Sequence, residues 1–168
     1  MTSPTQSLPG FHSPAASTEA PLEMLAACHG RVLHQCETLG RLATHLPSHG
    51  SDTAARDHHA DEEDDLFPAL LEAMAGSDAV CIRALTDGLR AEHRALEARW
   101  RRLRERLTHI AAGHSAELPA SEVQDFVAAY TAHIEKEDSE LLPLATRLLS
   151  DADITRVGTA MRVRRGIG

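Results

Sequence analysis

The sequence predicts an all-α protein, an up-down-up-down four-helix bundle with a short C-terminal helix, and three observations predict it. Ala, Leu, Glu and Arg dominate a chain of 168 residues in which aromatic residues make up 3%, a balance that favours helix over sheet. Apolar residues recur at alternating intervals of three and four along four long segments, the spacing of one helix face. Short connections join these segments, which favours antiparallel neighbours. With 42% hydrophobic residues, the chain is long enough for one domain with its own core and too short for two.

Residues 1–18, MTSPTQSLPGFHSPAAST, are rich in Ser, Thr and Pro, so the expectation is a disordered tail preceding a domain at 19–165. The first helix is expected from Thr18–Pro21 to about Leu46, with Thr18 as a possible cap and Pro21 in the first turn. Its inner line is Leu22, Leu25, His29, Val32, Cys36, Leu39, Ala43 and Leu46. A second helix follows the turn PSHGSD and runs to about Ala75, with His58, Glu62, Leu66, Ala69 and Ala73 facing inward. Pro68 removes a main-chain donor and is expected to bend this helix just beyond Glu62.

The third helix is expected from about Ser77 to Ala112, stopped by Gly113, with Ile82, Leu85, Leu89, His93, Leu96, Trp100, Leu103, Leu107 and Ile110 inside. Gly88, one turn before His93, points to close packing. The fourth opens at Ser121, where SEVQ reads as a capping box, and carries Val123, Phe126, Tyr130, His133, Glu137, Leu141, Leu144 and Leu148. The stretch DADITRVGTAMRVRR is expected to form a short fifth segment across the bundle end.

Composition excludes several functions. A net charge of −8 argues against nucleic acid as a partner. The arginines of RWRRLRERL, Arg99 to Arg106, read as a solvated helix face paired with the acidic run at 61–65. Cys28, Cys36 and Cys81 form no C-x-x-C pair and suit buried thiols in a reducing cytoplasm. No apolar run is long enough to span a membrane, and no basic start with an apolar stretch marks export.

The chemistry lies in a repeat. HHADEEDDLFP, residues 58–68, and HIEKEDSELLP, residues 133–143, share His, Glu at +4, Leu at +8 and Pro at +10. Residues i and i+4 share a helix face, so each copy points one imidazole and one carboxylate the same way. His59 with Glu63 also has this spacing, but only His58 and Glu62 share the Leu and Pro offsets. His29 and His93 stand alone on the other two apolar stripes, which makes the chain two related helical hairpins. Six ionisable side chains in greasy seams require compensation, and a cation is the economical answer. Four His and two Glu exceed one tetrahedral zinc, so two metals bridged by the carboxylates fit better, with iron, manganese and zinc all suited to such donors. The Glu-x-x-His spacing of ferritin-like bundles is absent, since Ala55, Arg90 and Tyr130 stand three before His58, His93 and His133.

His29, the pair His58 and Glu62, His93, and the pair His133 and Glu137, with LFP at 66–68 and LLP at 141–143, resemble the hemerythrin-like family of HHE cation-binding domains over roughly residues 20–165. The resemblance implies a four-helix bundle and an oxo- or hydroxo-bridged pair of iron ions. His29, His58, His93 and His133 would be terminal ligands, and Glu62 and Glu137 bridges. Oxygen-carrying members have a second His one turn from the third-helix ligand and an Asp at +5 in the fourth helix. Here Leu89 and Glu97 flank His93 and Glu137 stands at +4, which resembles a bacterial subgroup with one histidine fewer. Four imidazoles, two carboxylates and one bridge leave about one open position on each iron, unless Tyr130, Glu97, Glu63 or water fills it.

The resulting expectation is a di-iron protein that binds or senses dioxygen, nitric oxide or peroxide. Peroxidase- or catalase-like activity, iron-centre repair, iron storage and an interaction module are the alternatives. Tyr130, one turn before His133, is expected as a core tyrosine, as a hydrogen-bond donor behind a ligand, or as a ligand itself. His34, His45, His49, His109 and His114 fit no stripe and are expected in solvent. Any signalling would pass through a protein partner or a second copy of the chain.

Overall fold

Four helices close a ring, each packing against the next and the fourth against the first. The computed structural model describes residues 20–42, 52–74, 79–114 and 117–167. The expected tail, the end of the first helix beyond Leu42, and His45 and His49 lie outside them. Helix α1 is Pro21–Leu42. Helix α2 comprises Asp52–Ala60, a π-helical turn Asp61–Leu66, and Phe67–Ala73. Helix α3 is Ala79–Ala111. Helix α4 comprises Ala120–Lys136, a second π-helical turn Glu137–Leu141, and Leu142–Leu148, and helix α5 is Asp151–Arg164. Among the described residues there is no strand, and no helix is long and apolar enough to cross a membrane.

The irregularity expected at each proline takes the form of a π-helical turn. A proline inside a helix lacks the N–H and crowds the carbonyl four residues back. Here the chain widens by one residue before each proline and around the carboxylate itself: the Phe67 N–H bonds to Glu62 O, and the Leu142 N–H to Glu137 O. Single π turns of this kind are rare and often mark functional sites. The extra residue also rotates the remainder of each helix. Ala73 is exposed while Leu70 is buried, and Ala145 is fully buried where Leu144 was expected.

The start of α4 also departs from expectation. Helix α4 begins at Ala120 with Pro119 as an N-cap that offers no side-chain bond; the Pro119 carbonyl accepts from Glu122 N–H, so Ser121 is already inside the first turn. The capping box occurs at α5 instead, where the Ser150 hydroxyl accepts from Asp153 N–H and the Asp153 carboxylate accepts from Ser150 N–H. Gly113 does stop α3: its φ of 78° is left-handed backbone, and His114 N–H then reaches back to His109 O.

Two apolar clusters hold the bundle. One gathers Met24, Leu25, Leu66, Phe67, Leu70, Leu89, Leu141, Val157 and Met161 with their neighbours. The other contains Cys36, Leu96, Leu103, Val123, Phe126, Tyr130 and Ile134. Between them in sequence along α1 and α3 stand His29 and His93. Each buried Leu or Phe contributes about 1.5–3 kcal/mol, so the polar layer sits between two bodies of well-buried core.

The acidic run at 61–65 pairs with the C-terminal arginines Arg164 and Arg165, correcting the expectation that Arg99 to Arg106 cover it. Within that segment, Arg99 donates to Asp125 O and Arg106 pairs with Glu122, so these arginines join α3 to α4. Lengthwise separation explains the difference: the acidic run lies at the level of His93, about two to four turns before the arginines on α3.

Candidate metal centre

All four bundle helices send ionisable groups into one layer. Helix α1 contributes His29; α2 contributes His58, His59 and Glu62; α3 contributes His93; α4 contributes His133 and Glu137. All are buried, and both carboxylates have no solvent exposure.

Three rings are held from behind in the same way. His29 Nδ1 lies 2.7 Å from Asp138 Oδ1, His93 Nδ1 2.7 Å from Glu63 Oε1, and His133 Nδ1 2.8 Å from Glu92 Oε2. With Nδ1–H donating to a carboxylate at the rim, each ring is held with Nε2 toward the centre, an arrangement common behind metal-bound histidines. Glu92 is itself anchored by Lys136 at 2.8 Å, whose ammonium lies over Gly88, so that a Cβ there would meet Nζ at 3.4 Å. The expected close packing at Gly88 is against this ammonium.

The Nε2 atoms meet the two carboxylates. Glu137 lies 3.1 Å from His29 Nε2, 2.8 Å from His133 Nε2 and 3.4 Å from His93 Nε2. Glu62 lies 3.3 Å from His93 Nε2 and 3.7 Å from His58 Nε2. Most of these approaches lack hydrogen-bond alignment. His29 Nε2, His133 Nε2, both Glu62 oxygens and Glu137 Oε2 are buried without a hydrogen-bond partner, as are the Nδ1 atoms of His58 and His59. Unpartnered polar atoms are uncommon in a protein interior, and seven in one layer need a common partner.

The electrostatics agree. Burial opposes charge on His29 and His93, but the Glu137 carboxylate, joined by Asp138 for the first and by Glu62 and Glu63 for the second, overrides it. Their pKa values rise to about 9 and about 10. His133 rises for the same reason, through Glu137 and Glu92. His58 is pushed down to about 3 by burial, against the pull of Glu137 and with the aid of neighbouring imidazoles. Burial and the nearby Glu137 charge lift Glu62 to about 7. Burial disfavours the Glu137 carboxylate too, but its three imidazoles hold it far below the usual range.

The six residues expected from the sequence therefore meet, and the structure adds a seventh. His59 is buried and lies flat on His93, ring centroids 4.0 Å apart and planes 10° apart. Its Nε2 is 3.2 Å from the Tyr130 hydroxyl and its Nδ1 3.7 Å from a half-exposed Glu97 carboxylate. The sequence signal was the HH doublet itself. Adjacent helical positions differ by about 100°, which reserves the centre for one of them only where the surrounding layer is apolar, and this layer is not. Tyr130 thus packs beside the centre and touches it through His59, with burial and Glu137 keeping its phenol protonated. His34, His109 and His114 are exposed as expected.

The donors fall into two groups. His29, His58, Glu62 and Glu137 form one and His59, His93 and His133 the other, the ligand atoms of each lying within 4.8 Å of one another. Imidazole and carboxylate in this ratio suit borderline divalent metals, and each of the two groups contains unpartnered donor atoms, so the residues present fit two cations. The open hollows on the surface, lined by Arg99, Arg102, Arg106 and His109 among others, lie elsewhere on α3 and hold none of these residues.

The chain resembles known proteins in the same terms. A Haemophilus influenzae protein described as uncharacterized is 28% identical over 90% of this chain and 94% of its own length. The family model for the hemerythrin HHE cation binding domain matches residues 20–145. That match spans all four bundle helices and every residue of the buried polar layer, and the chain belongs to the hemerythrin HHE cation-binding family.

Proposed function

We propose that this protein holds two iron ions and uses them to bind or sense dioxygen, nitric oxide or peroxide. The observation that carries the reading is the division of the buried donors into two adjoining groups. His29 and His58 would hold one ion, His93 and His133 the other, with Glu62 and Glu137 between them. Bound there, iron supplies an electrophilic, redox-active site for small oxygen and nitrogen ligands. The chain's own residues orient the rings from behind, supply the counter-charge and exclude water with Leu25, Phe67, Leu89 and Leu141, all fully buried.

His59 makes the two sides unequal. For its Nδ1 to ligate, its Nε2–H must donate to the Tyr130 oxygen, and the 3.2 Å separation allows that. A third imidazole would crowd the ion at His93 and His133, leaving the ion at His29 and His58 as the one open to an incoming ligand. This revises the symmetrical opening expected from the sequence. Of the three thiols expected to be buried, Cys36 is, Cys28 is only partly so and Cys81 is exposed.

The test loads the protein anaerobically with Fe(II) and follows the visible spectrum on adding nitric oxide or hydrogen peroxide. A ligand-dependent band is expected, and a colourless, unresponsive protein counts against the reading. Repeated turnover of peroxide would establish the enzymatic alternative. In His59→Ala, affinity for one of the two ions is expected to fall by about 10–100-fold. Two ions bound as tightly as before would leave His59 a stacking residue only.

A further inference from the structure

We propose that Arg164 and Arg165, at the end of α5, are positioning residues for the metal centre, an inference that rests on the two-metal reading above. Helix α5 lies beyond the residues matched by the family model, which end at 145. It packs against α1 and against the π turn of α2, with Val157 and Met161 buried in the same cluster as Leu25 and Leu66.

The clamp it delivers falls on the residue beside the bridging carboxylate. Asp61 has no solvent exposure, although it is charged and adjacent to Glu62. Arg165 grips both Asp61 oxygens, with Nη1 3.0 Å from Oδ1 and Nη2 on Oδ2. Arg164 bridges Asp61 and Asp65, reaching Asp65 Oδ2 at 2.8 Å. Arg165 also donates to Met161 O at 3.0 Å, which ties the fork to its own helix. The two-pronged geometry fixes direction as well as distance.

A buried ion pair is weak evidence for stability by itself, because desolvation offsets the attraction; its better-attested use is to select one arrangement over others. Here the arrangement selected is a π turn, a conformation that a helix abandons for ordinary α geometry unless its surroundings hold it. Relaxation of that turn would remove one residue of advance and change how Glu62 is aimed at His93 on the facing helix. Asp61 therefore faces outward into the clamp so that Glu62 faces inward. The second π turn has a different anchor: the position before Glu137 is Lys136, paired with Glu92 from α3. One bridging carboxylate is thus set by the bundle and the other by α5.

The test measures metal content and dissociation constant with Fe(II) or Co(II) alone, under anaerobic conditions, for the full chain and for Arg164→Gln, Arg165→Gln and the double variant. Circular dichroism checks that helix content persists. Arg156→Gln is the control, since Arg156 also ties α5 to α2, through Glu72 at 3.0 Å, but at the solvent-exposed surface. The double variant is expected to bind at least one ion about 10–100-fold more weakly, with an altered Co(II) absorption spectrum, while Arg156→Gln matches the parent. Arg165→Lys, which keeps charge but loses the fork, should recover part of the affinity. If the double variant unfolds, Asp65→Asn, which releases Arg164 from one partner only, should show a smaller loss in the same direction. Unchanged affinity and spectrum in the folded arginine variants, or in Asp65→Asn should the double variant unfold, or an equal loss in Arg156→Gln, overturns the positioning role. A parent chain that binds no metal removes the two-metal reading itself.

Discussion

Glu137→Gln is expected to empty the centre. This carboxylate approaches three imidazoles, at 3.1 Å for His29, 3.4 Å for His93 and 2.8 Å for His133, and it has no exposure to solvent. The amide keeps the shape and one acceptor but loses the charge and one oxygen donor. Both ions are bridged by this group in the proposed arrangement, so affinity for the pair is expected to fall by at least about 100-fold, more than for loss of an outer partner. The metal-free protein is affected as well. His29, His93 and His133 are raised, against burial, by Glu137 together with other carboxylates; without it, burial opposes their charge with fewer partners to sustain it. Breaking a buried charge pair by removing one partner costs on the order of 3–5 kcal/mol, so the midpoint of thermal unfolding of the metal-free variant should drop at pH 7. Glu140→Gln, at an exposed position of the same turn, should change neither quantity. Two ions bound with parental affinity in Glu137→Gln would contradict the bridging role.

Metal loading is expected to release at least about two protons per chain at pH 7, and the sign comes from the shifted groups. Before loading, His29 at about 9 and His93 at about 10 carry their protons at pH 7, and His133 is shifted upward, against burial, by Glu137 and Glu92. A metal needs the Nε2 lone pair of each ring, so each of these protons must leave. Glu62, lifted to about 7, adds a fraction of another. His58, held near 3, is already neutral and releases nothing. Affinity should therefore rise with pH by at least about two decades per unit around neutrality. The slope should weaken above pH 9 as His29 loses its proton, and again above 10 as His93 does. Calorimetric titration with Mn(II) or anaerobic Fe(II) in buffers of different ionisation enthalpy counts the protons directly. Loading with no proton release would mean that the metal sits on other groups.

The sequence revealed the four helices and the meeting of six residues because both depend on helical period. A ligand on an apolar stripe is visible as a break in that stripe: His29 between Leu25 and Val32, His93 between Leu89 and Leu96. The duplicated spacing of His58 and Glu62 with His133 and Glu137 supplied the rest. What escaped depends on departures from that period or on distant contacts. The π turns shift every later position by one, which is why Leu70 and Ala145 are buried where Ala73 and Leu144 were expected. His59 was set aside because only His58 and Glu62 share the Leu and Pro offsets of the second copy. The partner of Asp61 lies 104 residues away at Arg165, a pairing that no local pattern announces. Ser121 had the spacing of a capping box, but Pro119 starts the helix earlier, so its side chain has no cap to make.

The most direct measurement is anomalous diffraction at the iron edge from crystals of the Fe-loaded protein. Two peaks are expected inside the bundle, flanked by Glu62 and Glu137, one toward His29 and His58 and the other toward His93 and His133. No peak in that layer, with the rings bonded to the carboxylates around an empty centre, would contradict the account, as would iron found only on exposed histidines such as His34.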